Sequence, residues 1–123
     1  MKHRKTKVLM VDDEQGFTDL ATLSLTDYEI RGENESGRAL AAAREFKPDV
    51  ILLDVMMPGL DGGDVAAQLR EDARLRRVPI IFLTSMVTEG ETGVRLNFGG
   101  FPFLAKPVTP ERLADTIEQH LLR

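Results

Sequence analysis

The chain is short, mildly acidic and free of cysteine. Its 123 residues are enough for one domain, and 42% hydrophobic with 29% charged residues is an ordinary globular composition. A formal net charge of −4 argues against a general nucleic-acid-binding surface. No apolar run approaches the roughly 18 residues that suggest a membrane span. Without cysteine the chain can form no disulfide, thiolate nucleophile or zinc–thiolate site, which suits a reducing cytoplasm.

The basic start of the chain predicts a tail. Residues 1–5 are rich in Lys, Arg and His, and no long apolar region follows them, so a secretory signal is not expected. The tail is interpreted as solvated, with a local anion or nucleic-acid contact as the alternative. A domain is predicted over residues 6–123.

The first half of the chain alternates short apolar runs with segments of helical period. Residues 7–12 predict a strand that ends in acids, and a helix follows over 15–26. A weaker, more polar strand is predicted over 28–33, then a helix over 38–47 that Pro48 ends. The first helix is expected to place four apolar residues on one face: Phe17, Leu20, Ala21 and Leu25.

The second half repeats this order. Residues 50–54 are apolar up to Asp54, which is typical of a strand buried on both faces. Asp61 is expected to cap a helix over 63–71, and the next strand covers 78–84. The helix predicted over 88–98 is a poorer one because it contains two glycines. A short strand over 101–105 precedes a last helix, which Thr109 caps with Pro110 at its first position.

Five strand–helix units imply a parallel sheet with right-handed crossovers. The predicted fold is therefore a three-layer α/β sandwich, a doubly wound (βα)5 domain with the flavodoxin-like strand order 2-1-3-4-5.

Polar residues stand where the predicted strands end. Asp12 and Asp13 close the first strand, Asp54 the third and Thr84 the fourth, and Lys106 follows the fifth. In a parallel sheet these ends share one edge, where ligands bind near the point at which strand order reverses. Taken singly, each residue is more typical of a cap, a backbone-bonded hydroxyl or a solvated lysine. Together they predict one shallow site.

Clustered carboxylates repel one another, and a divalent cation would remove the conflict. Oxygen ligands without Cys or a nearby His favour Mg²⁺ or Mn²⁺ over zinc. A carboxylate beside such a metal is a plausible nucleophile toward phosphorus, which would give an acyl phosphate at Asp54. The Lys106 ammonium can neutralise charge on a phosphoryl group, and the Thr84 hydroxyl can donate to it.

The chain resembles the response-regulator receiver domains of two-component signalling (CheY-like) over about residues 6–122. The resemblance rests on four motifs in order: Val-Asp12-Asp13-Glu14; Leu-Leu-Asp54-Val-Met-Met-Pro58-Gly-Leu-Asp-Gly62; Leu-Thr84-Ser85; and Phe103-Leu-Ala-Lys106-Pro107.

The resemblance implies that Asp54 accepts a phosphoryl group from the phosphohistidine of a sensor histidine kinase or a phosphotransfer protein. It also implies that Asp13, Asp54 and the Met56 backbone carbonyl bind Mg²⁺, with Asp12 helping through water or as a weaker ligand. Lys106 would pair with the phosphate. The family also leads us to expect a cis Lys106–Pro107 peptide.

The same resemblance implies a switch. Thr84 would move to the phosphoryl group, and Phe103 would turn into the space that it leaves. This would change a partner surface on the fourth and fifth predicted helices and the fifth strand. The expected protein is cytoplasmic, a monomer or weak phosphorylation-dependent dimer, without nucleic-acid or membrane contact. Its downstream partner is unknown, and it would turn over no separate substrate.

A scaffold, two kinds of enzyme or cofactor protein, and one departure from the family pattern were weighed against this interpretation. A phosphorylation-independent scaffold could share the fold, although no acid, Thr or Lys of the site is missing. An aspartyl phosphatase would have an acid two residues after the nucleophile, where this chain has Met56. In an FMN protein the acids after the first strand would repel the phosphate. The stretch of residues 98–103 is unusually aromatic and is interpreted as core or as a partner surface: Phe98, Phe101 and Phe103.

Overall fold

The computed structural model describes residues 4–85 and 101–121. Within them, strands alternate with helices along the chain. The order is β1 (Thr6–Val11), α1 (Gln15–Ser24), β2 (Tyr28–Glu33), a 3₁₀ turn (Ser36–Arg38), α2 (Ala39–Phe46), β3 (Val50–Asp54), α3 (Gly62–Glu71), β4 (Ile80–Thr84), β5 (Phe103–Ala105) and the C-terminal helix α4 (Pro110–His120).

The strands form one parallel sheet in the order β2-β1-β3-β4-β5, which confirms the predicted topology. β3 lies at its centre and alternates its side chains between two cores. Ile51 and Leu53 pack with α2 and α3, whereas Val50 and Leu52 pack with α1 and α4. The sheet is thus covered on both faces, and its carboxyl edge is left open for the site.

The two helices with strong start signals begin where those signals predict. At α3, the Asp61 carboxylate accepts from the Asp64 N–H at 2.8 Å, and the Asp64 carboxylate accepts from the Asp61 N–H at 3.2 Å. At α4, Thr109 Oγ1 accepts from the Arg112 N–H, and Pro110 is the first helical residue. These bonds satisfy amide groups that a helix start leaves without an internal partner.

The prediction for the buried face of α1 was wrong at one residue. Leu20 is 56% exposed, whereas Thr18 and Ala21 are buried, together with Leu25 just after the helix. Each residue of a helix turns by about 100°, so Thr18, Ala21 and Leu25 lie within one stripe and Leu20 lies well outside it. Phe17 is half-buried at the edge of that stripe.

Several predicted boundaries shift by one or two residues. β1 ends at Val11, before Asp12, and β4 begins at Ile80 rather than at residue 78. β5 begins at Phe103 rather than at 101, since Pro102 has no N–H to donate to a neighbouring strand. The helix predicted over 88–98, including Phe98, lies outside the described residues.

No helix in the described ranges has the length and apolarity needed to cross a membrane.

Candidate functional site

Asp54 stands at the end of a strand that is buried over its whole length. All five residues of β3 are buried, and Asp54 itself is only 5% exposed. β3 is flanked by β1 on one side and by β4 on the other, so the Asp54 carboxylate emerges between two neighbouring strands at the open edge of the sheet. Its Oδ1 accepts a hydrogen bond from the Met56 N–H at 3.3 Å.

Asp12 and Asp13 approach Asp54 from the end of β1. One carboxylate oxygen from each of the three residues lies within 4.8 Å of the others. Asp12 is fully buried, whereas Asp13 is exposed. Val11 pairs with Leu53, so the residues that follow them, Asp12 and Asp54, lie side by side although they are 42 positions apart in the sequence.

Lys106 enters the cluster from the residue after β5. Its Nζ lies 2.6 Å from Asp12 Oδ2, 3.1 Å from Glu14 Oε1 and 3.6 Å from Asp54 Oδ2. The Lys106 N–H donates to the Thr84 carbonyl at 2.8 Å, which ties the start of this loop to β4. The Lys106–Pro107 peptide bond is cis.

The cluster holds more carboxylates than ammonium groups, and burial adds to the cost of their charge. Burial and the neighbouring Asp12 carboxylate raise the pKa of Asp54 to about 6, although Lys106 and the Met56 N–H oppose the rise. Burial alone would lower the pKa of Lys106, but its contacts with the Asp12 and Glu14 carboxylates outweigh burial and raise it. One ammonium therefore leaves part of the negative charge uncompensated.

The donor set fits a small divalent cation. Three carboxylate oxygens converge, and the buried Asp12 Oδ2 lies 2.6 Å from the Lys106 ammonium. Hard oxygen donors of this kind suit Mg²⁺ or Mn²⁺ rather than zinc. The residues that could hold the ion are Asp12, Asp13 and Asp54.

Comparison with known proteins decides the family. The family model described as "Response regulator receiver domain" matches residues 8–118, which is most of the chain. The chain belongs to the response regulator receiver domain family. It is thus the receiver domain of a two-component response regulator, and the CheY-like resemblance read from its motifs is confirmed.

Among curated relatives, the receiver domain is 38% identical over 104 residues to the response regulator PleD of Caulobacter vibrioides. It is 32% identical over 125 residues to the DNA-binding response regulator MtrA of Mycolicibacterium smegmatis. These alignments cover 83% and 100% of this chain but 23% and 54% of the relatives. The chain therefore spans about a quarter to a half of the length of these proteins.

Solved structures agree on the fold. The chemotaxis protein CheY4 of Vibrio cholerae matches with a TM-score of 0.82 and 30% identity, covering 96% of this chain and all of that one. The BeF3-activated N-terminal receiver domain of RstA from Klebsiella pneumoniae matches with a TM-score of 0.78 and 28% identity, over 96% of this chain and 100% of that chain.

Thr84 and Phe103 occupy neighbouring strands of the receiver domain. Thr84 is fully buried at the end of β4 and lies opposite Ala105 of β5. Phe103 opens β5 and is 41% exposed, so its ring faces solvent in part. Phe103 pairs with Phe82, two residues before Thr84, so the two predicted switch residues lie on neighbouring strands, and the exchange of positions between them stays a prediction.

Three residues near the site were not among the site residues that the sequence analysis predicted. Glu14 contacts Lys106, and the Phe17 ring centroid lies 4.9 Å from Lys106 Nζ. Asn34 Nδ2 donates to the Asp12 carbonyl at 2.8 Å. Asn34 directly follows β2, so the rule that polar strand ends meet would have found it. Glu14 and Phe17 offered no such signal, because their contacts with Lys106 depend on the rotamers of long side chains.

The loop between β3 and α3 is held close to Asp54 by two small residues. Ser36 donates its hydroxyl to the Pro58 carbonyl and accepts from the Leu60 N–H, both at 3.0 Å. Gly62 passes so near that a Cβ there would lie 2.6 Å from the Asp54 carbonyl oxygen. Beside this loop lies an open concavity of about 430 Å³, whose rim includes Asp13 and Glu35.

Proposed function

We propose that this receiver domain is a Mg²⁺-dependent phospho-acceptor switch in which Asp54 receives a phosphoryl group from the phosphohistidine of a histidine kinase or phosphotransfer protein. The observation that supports it is the position of the Asp54 carboxylate, at the end of a buried strand, with two further carboxylates within 4.8 Å and an ammonium 3.6 Å away. Family membership adds the signalling context.

The proposed transfer forms one bond and breaks one. An Asp54 carboxylate oxygen bonds to phosphorus while the phosphorus–nitrogen bond of phosphohistidine breaks, and the imidazole nitrogen keeps the electron pair. Phosphoryl transfer depends mainly on positioning and charge neutralisation. Lys106 would bind phosphoryl oxygens, and the Thr84 hydroxyl would donate to one of them.

Bound Mg²⁺, or Mn²⁺ in its place, would neutralise charge on the transferring group and allow the carboxylates to stay ionised together. Asp13 and Asp54 are its proposed direct ligands, together with the Met56 backbone carbonyl. Asp12 would bind through water or more weakly, because it already contacts Lys106. These assignments are supported by the carboxylate cluster and by the family.

The proposed output is a shift between two packings, driven by phosphate contacts that only one of them offers. Thr84 would move toward the phosphoryl group, and Phe103 would turn inward. The affected surface would comprise residues 88–98, β5 and α4. A partly exposed Phe103 on the strand next to the one that carries the buried Thr84 is the arrangement that such an exchange would start from.

The partner is proposed to be a protein. A net charge of −4 disfavours direct nucleic-acid binding by this domain. MtrA is a DNA-binding response regulator, but the chain covers only 54% of it. We propose a receiver domain over residues 6–123 after a basic tail of residues 1–5, acting in the cytoplasm as a monomer or weak phosphorylation-dependent dimer. It would turn over no separate substrate.

Intact-mass spectrometry after incubation with phosphoramidate tests the acceptor. We expect the wild type to gain one phosphoryl group with Mg²⁺ and none with EDTA, and Asp54→Asn to gain none. Asp115→Asn, at an exposed aspartate on α4, should behave as the wild type.

Each contrary outcome has a distinct meaning. A wild type that takes up no phosphoryl group with Mg²⁺ would overturn the switch, and uptake by Asp54→Asn would place the acceptor elsewhere. A partner that binds wild type and Asp54→Asn equally, whether or not the wild type is phosphorylated, would favour the scaffold interpretation.

A further inference from the structure

Lys106 is shared among more groups than the acceptor chemistry requires. Its ammonium has three hydrogens, and three carboxylates lie within 4.0 Å of it. The contact with Asp54, the acceptor, is the longest of the three at 3.6 Å, and the contact with Glu14 is half an ångström shorter at 3.1 Å. The lysine is thus held mainly by Asp12 and Glu14.

Glu14 and Phe17 together bind the Lys106 ammonium at a position away from Asp54. Glu14 donates its N–H to Asp12 Oδ1 at 2.9 Å, which fixes its backbone beside the cluster. Phe17, one helical turn further along, places its ring 4.9 Å from Lys106 Nζ, where a cation is attracted to the ring face. An anion and an aromatic face therefore bind the ammonium from the β1–α1 side.

We propose that Glu14 is a positioning residue that competes with Asp54 for Lys106 and thereby limits how fast Asp54 takes up a phosphoryl group. This inference rests on the proposed function of Asp54. Of the two carboxylates that hold Lys106 most closely, Asp12 is fully buried, whereas the Glu14 side chain is 66% exposed. Water can therefore solvate the Glu14 carboxylate when the Lys106 ammonium moves away from it. Of the two contacts, the one between Lys106 and Glu14 is thus the easier to break.

The expected size of the effect follows from the exposure of Glu14. Exposed ion pairs of this kind shift an equilibrium by a factor of about two to five, and salt screens them. Glu14→Gln keeps the length of the side chain and a hydrogen-bond acceptor but removes the charge. We expect it to raise the maximal rate of phosphorylation by phosphoramidate at saturating Mg²⁺ about two- to fivefold at low salt, and less at high salt.

Glu35→Gln is the matched control. Glu35 is exposed on the rim of the concavity beside Asp13, and among the described residues the ion pairs of Lys106 are with Asp12, Glu14 and Asp54. Glu35→Gln therefore changes the charge near the site without removing any of the carboxylates that contact Lys106. Equal acceleration by both variants would show a general charge effect and overturn the proposal, as would an unchanged or lower rate in Glu14→Gln.

A second measurement needs neither phosphodonor nor metal. The Phe17 ring should shift the NMR signals of the Lys106 side-chain CH₂ groups upfield, and Phe17→Leu should remove that shift and so assign it. In Glu14→Gln the upfield shift should shrink, because the ammonium moves toward Asp54. An unchanged shift would overturn the proposed hold, whereas loss of phosphoryl uptake in the wild type would overturn only the function of Asp54.

Discussion

β3 and β5 deliver groups to the same site, but the fold holds them very differently. β3 lies at the centre of the sheet and is buried over its whole length, whereas β5 is the last strand, has three residues and buries only Leu104. The carboxylate of Asp54, the proposed acceptor, thus stands on a strand that is packed on both faces and cannot move without disturbing its neighbours. β5, which carries Phe103 and precedes Lys106, has fewer buried side chains, so a change in its conformation should cost less free energy.

The largest effect should come from the core of β3. Leu52→Ala removes a fully buried side chain between the sheet and the α1–α4 side, so we expect a loss of about 2–5 kcal/mol in the free energy of unfolding. Leu23→Ala, at a leucine that is 77% exposed, should change it by less than about 0.5 kcal/mol. Urea denaturation measures both, and similar losses would contradict the contrast between buried and exposed positions.

The next effect should come from the loop that covers the end of β3. Gly62→Ala places a Cβ 2.6 Å from the Asp54 carbonyl oxygen and 2.9 Å from Val55 Cα, so the backbone must shift, at a cost of about 1–3 kcal/mol. Gly16 on α1 has nothing within 4 Å of such a Cβ, so Gly16→Ala should stabilise by about 0.4–1 kcal/mol. Thermal unfolding of the pair should therefore give opposite signs.

A smaller effect is expected from the charge of Asp54, the proposed acceptor, in metal-free protein. The pKa of Asp54 is raised to about 6 in the folded protein, against about 4 in the unfolded chain, so the folded state binds more protons between these values. The free energy of unfolding should fall as pH rises through this window. Asp54→Asn cannot ionise, so in EDTA it should be more stable than wild type above pH 6, by on the order of 1 kcal/mol after allowance for solvent screening.

The stability difference between Asp54→Asn and wild type should disappear at pH 4, where the wild-type carboxyl is protonated in the folded state. Denaturant curves at pH 4 and pH 7.5 measure it. An advantage of Asp54→Asn that is equal at both pH values would show that the charge is not its cause.

The smallest effect should come from β5. Phe103 is 41% exposed, so Phe103→Leu should change the free energy of unfolding by no more than about 0.5 kcal/mol. A loss as large as that of Leu52→Ala would erase the difference between the two strands. Chemical denaturation under the conditions used for Leu52→Ala provides the comparison.

Local sequence signals were sufficient for β3 and insufficient for β5. The apolar run of residues 50–54 predicts the strand with its observed bounds, since each residue is buried whichever face it points to. For β5, Phe101 was predicted within the strand. It lies outside, packs edge-on against Phe82 at 5.4 Å between centroids, and lies under the Arg70 guanidinium. Neither contact leaves a sequence pattern, because each joins residues on different elements.

The site divides in the same way. The sequence by itself determined that Asp12, Asp13, Asp54, Thr84 and Lys106 would share one edge, because parallel strands bring their carboxyl ends together and each residue stands at such an end. Only the tertiary structure decided that Lys106 lies closer to Asp12 and Glu14 than to Asp54, and that burial raises the pKa of Asp54. Those properties depend on distances of a few ångströms and on excluded water, and both arise only when the chain has packed.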